Sequence, residues 1–249
     1  MASRKEYINM VIFQKGFNFS QDGTGNRLVY HLCGCNLRCP WCSNPEGFSF
    51  KNGKEYTVDE IVSEVLRSKA MMFDNGGVTF TGGEATIQFD ELKETLIKLK
   101  ENNINTCIET NGINERLSEL FPYLDLLIMD IKHYDPMIHK KVTGLSNEST
   151  LKNAVSRINS NQPLLLRIPL IGGFNSSVSD AKNFVKCFEN LKINDKITIE
   201  LLKYHEFGKI KYQKLGMDYK MDENARITVD DVLNFKKVLE DSNIKVINT

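Results

Sequence analysis

The feature that most narrows the fold of this 249-residue chain is a regular alternation between two apolar rhythms. Arg27 to Leu32, Val78 to Phe80, Asn105 to Thr110, Leu126 to Ile131, Leu164 to Ile171 and Ile197 to Leu202 are short β-type runs. The stretches between them repeat their apolar residues at helical spacing. Thr57 opens one with Glu60 three positions on, a capping box, followed by the face Val58, Ile61, Val62, Val65 and Leu66. Phe89, Leu92, Leu96 and Leu99 mark a second helix, and a short one is expected near Ile113 to Leu120. Leu151, Ala154, Val155 and Ile158 mark the next, then Ala181, Phe184, Val185 and Phe188; a long loop precedes a last helix from about Thr228 to Glu240. Strands that alternate with helices form parallel βαβ units. About six of them predict an α/β fold built as a (β/α) barrel, incomplete or complete, with an open doubly wound sheet as the alternative. Without a linker-like shift in composition or an internal repeat, residues 1–249 are expected to form a single domain.

Cysteine usage is the second constraint. Four of the six cysteines fall within the ten residues Cys33–Cys42, which calls for a chemical cause. Clustered thiolates pair, hold zinc or hold an iron–sulfur cluster. Cys35, Cys39 and Cys42 are spaced Cys-x3-Cys-x2-Cys, so that one loop could reach three irons of a cubane and leave the fourth without a protein ligand. With Cys33 as a fourth ligand the same residues could close a structural zinc site. The absence of a secretory pattern in Met1 to Phe19 disfavours disulfides and points to a cytoplasmic, reducing setting.

The charge balance excludes other classes. Lys plus Arg equals Asp plus Glu, 32 each, so no global basic field draws nucleic acid or anionic lipid. Nowhere do eighteen apolar residues run together, so no membrane span is expected.

Polar residues gather where the predicted strands end, the place where barrels of this kind do their chemistry. Gly82-Gly83-Glu84 follows one strand, Glu109-Thr110-Asn111-Gly112 the next, and Asp130 and Lys132 a third. Arg167 lies within an apolar strand, where a guanidinium needs partners, and Tyr204-His205-Glu206 follows the strand after it. Asp130 and Lys132, two apart on one strand face, could equally be a plain ion pair, and Thr110 and Asn111 a plain cap.

The cysteine spacing, with Trp41 just before Cys42, resembles the signature of radical S-adenosylmethionine (SAM) proteins. Further blocks extend the likeness over nearly the whole chain: Asp22-Gly23-x-Gly25-x-Arg27, Gly82 to Ala85, Asn105 to Gly112, Asp130-Ile131-Lys132, Val142 to Asn147, and Tyr204-His205-Glu206-x-Gly208-Lys209. In this order they resemble the activating enzymes of glycyl radical enzymes, above all those of the pyruvate formate-lyase type. The resemblance implies a partial (β/α)6 TIM-like barrel of radical SAM type.

It also implies an oxidoreductase that cleaves SAM reductively and takes a hydrogen atom from a glycine of a partner enzyme, in an anaerobic setting. Cys35, Cys39 and Cys42 would hold a [4Fe-4S] cluster, with Lys132 at the catalytic centre beside them. Trp41, Ser43 and His205 would border the adenine, and Gly83 would accept from the SAM ammonium. Asp130, Lys132 and Arg167 would hold its carboxylate and ribose, with Asn111 and Ile131 alongside. Glu109, Thr110, Asp130 and the backbone at Ile128 would bind a monovalent cation, Na+ or K+, and Asp22 would seat the partner's glycyl loop. Electrons would come from a flavodoxin or ferredoxin type donor. Glu109 stands where an aspartate is usual and Thr24 where a proline is. No cysteine lies among the 39 residues between Cys42 and Gly82, so a single cluster is expected, with Cys33, Cys107 and Cys187 outside it. The alternatives are a radical SAM enzyme acting on a small molecule and a non-catalytic zinc scaffold.

Overall fold

The chain enters the computed structural model, which describes residues 9–189, 191 and 194–247, through a strand that its sequence does not announce. Met1 to Ile8, the beginning of the stretch searched above for a leader, lie outside those residues. The elements of the first half are Asn9–Phe19 (β1), Asn26–Leu32 (β2), Lys54–Thr57 (β3), Val58–Arg67 (α1), Gly77–Gly82 (β4), Phe89–Glu101 (α2) and Thr106–Thr110 (β5). Those of the second are Leu126–Asp130 (β6), Pro136–Thr143 (α3), Glu148–Asn159 (α4), Leu164–Leu170 (β7), Val178–Phe188 (α5), Ile197–Lys203 (β8), Lys209–Lys214 (α6), Val229–Glu240 (α7) and Val246–Ile247 (β9).

The residues fall into two compact units. One takes the chain up to Cys35 together with Glu46–Glu109 and Pro122–Asp125; the other takes Asn36–Pro45, Thr110–Phe121 and the chain from Leu126 onward.

In the first unit the strand order is β3-β1-β2-β4-β5. β1 runs antiparallel to both neighbours, with Phe17 opposite Leu28 and Asn9 opposite Thr57. From β2 onward the strands are parallel, Leu28 against Val78 and Val78 against Thr106. Arg27, Leu28, Val29 and Tyr30 are all buried, as expected of a strand covered on both faces. Tyr30 and Phe80 are register partners whose rings stack at 5.5 Å, a cross-strand pair that helps to fix the alignment. The Thr57–Glu60 capping box is present and satisfies two of the orphan N–H groups at the start of α1. Val58, Ile61, Val62 and Val65 of that helix are buried, whereas Leu66 is exposed. At 100° per residue it falls at the edge of the stripe rather than within it.

In the second unit β6, β7, β8 and β9 are adjacent in sequence order and all parallel. The register puts Asp130 beside Arg167 and Arg167 beside Glu200, so three charged residues line up across three strands, from the end of β6 to the middle of β7 and β8. Two expectations are corrected here. The segment near Ile113 to Leu120 contains no α-helix; a 3₁₀ helix, Leu117–Tyr123, takes its place, and it encloses Pro122, which has no N–H to give an α-helical ladder. The long loop after β8 contains α6 and a 3₁₀ turn, Glu223–Ala225. α3 was also not legible, although its N-cap is strong: Asp135 accepts from the N–H groups of Met137 and Ile138, with Pro136 at the first position. Among the described residues no helix is long and apolar enough to cross a membrane.

Candidate functional site

In the first unit the cysteine loop begins where β2 ends, and its backbone is bonded on several sides. The N–H of Cys33 donates to Val11 O at 2.9 Å, and Gln88 Nε2 donates to Cys33 O at 2.9 Å. Gly34 N donates to Gly47 O and Glu84 N to Gly34 O, both at 2.8 Å. Gly83 sits inside this ring of carbonyls: a Cβ there would come within 2.3 Å of Gly34 O and 2.6 Å of Gly47 O. No residue with a side chain fits without moving backbone, so a glycine is required where β4 meets the cysteine loop. Glu84 turns inward, its Oε1 accepting from the N–H and hydroxyl of Thr86. Thr81 Oγ1 donates to Glu109 Oε2 at 2.7 Å, which fixes that carboxylate at the end of β5. Asp22 is also held from below. Its carbonyl accepts from Thr79 Oγ1 at 2.7 Å, while Arg27, buried, donates to Thr79 Oγ1, Val78 O and Asn105 Oδ1.

The second unit carries the rest of the loop. Arg38 N donates to Thr143 O at 2.8 Å, Cys42 N to Cys39 O at 3.1 Å, and Tyr212 Oη to Cys39 O at 3.3 Å. Burial and the neighbouring cysteines Cys42 and Cys39 push the Tyr212 phenol far above its ordinary range, so it keeps the proton that it donates to Cys39 O. The backbone N–H of Asn44 points at Cys42 Sγ, 3.4 Å away. Trp41 packs on Phe174 at 5.0 Å and joins the apolar group of Ile171, Tyr204 and Ala225. Ser43 follows it, half-buried.

The strand ends answer the open readings. Lys132 and Asp130 form an ion pair at 2.5 Å, and the carbonyl of Lys132 accepts from Asn175. Ile131 N donates to Arg167 O, and the side chain of Ile128 is buried within β6. Arg167 does have the acid its burial demands: Nε donates to Glu200 Oε2 at 2.6 Å, with Glu200 almost entirely buried. Thr110 and Asn111 serve the turn as caps, accepting from Gly112 N and Ile113 N, while Asn111 Nδ2 also reaches Asn36 Oδ1 on the cysteine loop at 2.7 Å. His205 lies face to face with Phe207, ring centroids 4.0 Å apart, and loss of hydration holds its pKa below the usual histidine value.

Several residues here were not singled out from sequence. Glu200 could have been, because an acid within Ile197 to Leu202 raises the same question as Arg167. Asn175, Phe174 and Tyr212 carry no such signal, since each acts by contact with distant segments.

All six cysteines are among the described residues and none is in a disulfide. Burial pushes the Cys33 thiol up, as it does Cys187. Among the described residues no three His, Cys, Asp or Glu side chains gather as the ligands of one metal ion would. Three thiols in Cys-x3-Cys-x2-Cys spacing, with an N–H aimed at the sulfur of the last, are a donor set that suits an iron–sulfur cluster.

Residues 29–185 match the model of the radical SAM superfamily, and the chain belongs to that superfamily. Within it, the chain belongs with the activating enzymes of glycyl radical enzymes. It is 34% identical to the pyruvate formate-lyase-activating enzyme of Streptococcus mutans, covering 88% of this chain and 87% of that one. To the Escherichia coli pyruvate formate-lyase 1-activating enzyme it is 32% identical over 90% of this chain and 93% of the relative. The 4-hydroxyphenylacetate decarboxylase activating enzyme of Clostridioides difficile is 30% identical over 98% and 97% of the two chains. That alignment runs to 310 positions, so the relative carries at least 61 that this chain lacks. Among solved structures, a domain of pyruvate-formate lyase-activating enzyme from Bacteroides vulgatus superposes with a TM-score of 0.57 at 25% identity, covering 70% of this chain and 99% of that one. Streptococcus suis SuiB bound to precursor peptide SuiA superposes with a TM-score of 0.66 at 18% identity, covering 89% and 48%, a likeness of fold. The fold class is thus the partial (β/α)6 barrel of radical SAM type, and the family implies a [4Fe-4S] cluster and SAM as cofactors.

Proposed function

We propose that this chain is an oxidoreductase that places a radical on one glycine of a partner glycyl radical enzyme of the pyruvate formate-lyase type. The reading rests on one observation above all: the Cys-x3-Cys-x2-Cys loop has its backbone bonded at Cys33, Gly34, Arg38, Cys39 and Cys42, while none of its sulfurs is in a disulfide. Cys35, Cys39 and Cys42 are the thiolates that hold the cluster. Bound there, the cluster and SAM would supply reductive cleavage of the SAM sulfonium and the abstraction of a hydrogen atom from the glycine α-carbon.

The remaining residues bind, orient and exclude water. The backbone of Gly83 accepts from the SAM ammonium, as only a residue with no side chain allows so close an approach. Lys132, already oriented by Asp130, and Arg167, already oriented by Glu200, meet its carboxylate and ribose; pre-paired cations lose little freedom on binding. Asn111 and Ile131 lie alongside them. Trp41, Ser43 and His205 border the adenine, and the apolar group around Trp41 keeps water from the reacting carbon. Glu109, Thr110, Ile128 and Asp130 bind a monovalent cation, Na+ or K+, and Asp22 seats the glycyl loop. One domain, one cluster, a flavodoxin or ferredoxin type donor and a cytoplasmic setting complete the proposal, with no role for nucleic acid or membrane. The shorter length relative to the 4-hydroxyphenylacetate decarboxylase activase favours a single cluster and the formate-lyase type partner.

The test is anaerobic. Reconstituted protein, SAM, dithionite and pyruvate formate-lyase should give a glycine-centred doublet in electron paramagnetic resonance, in step with 5′-deoxyadenosine. Cys39→Ala should abolish both. Absence of both signals from wild-type protein with a full cluster overturns the proposal; a doublet with another glycyl radical enzyme but not with pyruvate formate-lyase overturns the partner assignment alone.

A further inference from the structure

α6 is a short helix with an unusual outward face. Its inner side rests on the cysteine loop at three points. A Cβ on Gly208 would come within 2.2 Å of Cys42 O, Lys211 Nζ donates to Asn44 Oδ1 at 2.8 Å, and Tyr212 Oη reaches Cys39 O. Helical geometry then turns Lys209, Ile210, Gln213 and Lys214 outward, and all four are exposed. Ile210 is 63% exposed and Phe207, just before the helix, 76%. Phe207 keeps one ring face on His205, whereas Ile210, left in water on a face that carries Lys209 and Lys214, is not explained by packing within this chain. Glu206 is shared between Arg226 at 3.3 Å and Lys209 at 3.8 Å, so these three residues with Lys214 carry a net positive charge.

We infer that this face, Phe207 and Ile210 ringed by Lys209, Lys214 and Arg226, is the docking surface for an acidic one-electron carrier protein that reduces the site behind the cysteine loop. The inference rests on the proposed function and deepens it by assigning a place to the electron donor. Charge complementarity selects the class of partner, since a cationic rim speeds encounter with an anionic protein and sets its orientation. An apolar centre then supplies the desolvated contact that a charged rim alone lacks. Electron tunnelling weakens steeply with distance, and α6, about 10 Å across, is the one element between a carrier on its outward face and the backbone of Cys39 and Cys42 that its inner side touches.

The test uses the cluster-loaded protein and a bacterial flavodoxin of net negative charge. Binding is measured by titration calorimetry at low and high salt, independently of turnover, beside the rate of cluster reduction by the flavodoxin hydroquinone, which gives up one electron to become the semiquinone. Wild-type protein should bind and weaken as salt rises. Lys209→Glu with Lys214→Glu should lower affinity and reduction rate at least tenfold, about the lower end of electrostatic steering, and Ile210→Ser should weaken binding without changing its salt dependence. Dithionite-driven formation of 5′-deoxyadenosine should be unchanged in both variants. If the charge-reversed protein binds and is reduced like wild type, the inference fails. It fails equally if flavodoxin binding survives but dithionite-driven glycyl radical formation is lost, because the face then belongs to the protein substrate. Failure of the dithionite reaction in wild-type protein would instead count against the proposed function.

Discussion

Replacing Glu200 by Leu removes the carboxylate that lies 2.6 Å from Arg167 Nε. The Glu200 side chain is 1% exposed and that of Arg167 12%, so water is poorly placed to substitute for the lost acid. Breaking a buried pair from one side costs about 3–5 kcal/mol. Arg167 keeps some access to solvent, which places the expected loss near the lower end, about 3 kcal/mol. With a urea m-value of about 3 kcal/mol/M, that loss moves the unfolding midpoint down by about 1 M. The loss should be read with Glu200→Gln, which keeps a hydrogen-bond partner and removes only the charge, and with the double variant Arg167→Met/Glu200→Leu. The glutamine variant should fall between wild type and leucine. The double variant should recover most of the loss, since two apolar side chains of similar volume replace a desolvated pair at little net cost. A midpoint for Glu200→Leu within about 0.2 M of wild type, or a double variant no more stable than the single one, would refute the account of Arg167 as a residue held ready by a buried acid. SAM affinity separates the roles further. The double variant should be stable yet bind SAM poorly, because the guanidinium itself is gone.

Three further outcomes are expected. Gly83→Ala forces a methyl group against Gly34 O and Gly47 O, both backbone, and should cost about 1–3 kcal/mol of stability together with most of the cluster content, measured as iron and sulfide per chain. Cys33→Ala should keep the full cluster content and its visible absorption, because Cys33 is buried at the end of β2 with its sulfur against Gly53; a drop comparable with that of Cys39→Ala would make it a ligand. Acid should destabilise the protein through His133 and His139. Burial lowers both pKa values from 6.5, so as pH falls the unfolded chain binds their protons first. Their contribution is complete above about pH 6.5 and is lost as pH drops from there toward the folded-state values. Urea midpoints measured from pH 8 to pH 5 should show this decline, and His139→Gln should flatten it.

The parts of the fold legible in the sequence are those where local pattern and tertiary burial agree. The parallel strands β2 and β4 to β8 begin and end within one or two residues of their apolar runs, β9 having none to announce it, and the Thr57 capping box is where its spacing puts it. One misfit was legible as such: Arg167 in an apolar strand called for partners, and Glu200 is one.

β1 escaped because its second half, Gln14, Lys15 and Gly16, is exposed and lacks the alternation that marks a half-buried strand; its pairing with β2 is set by backbone bonds along the register. α6 escaped for a related reason. A six-residue helix cannot stand on propensity, and its inner face is apolar in only one residue, Tyr212. What holds it is a glycine against the carbonyl of Cys42, a lysine on Asn44 and a phenol on Cys39, three contacts with a loop about 170 residues earlier that no periodicity can record. Lacking a need to bury an apolar stripe, the helix has its outward positions available for Ile210 and two lysines, and a face that folding leaves unconstrained is one that a partner can shape.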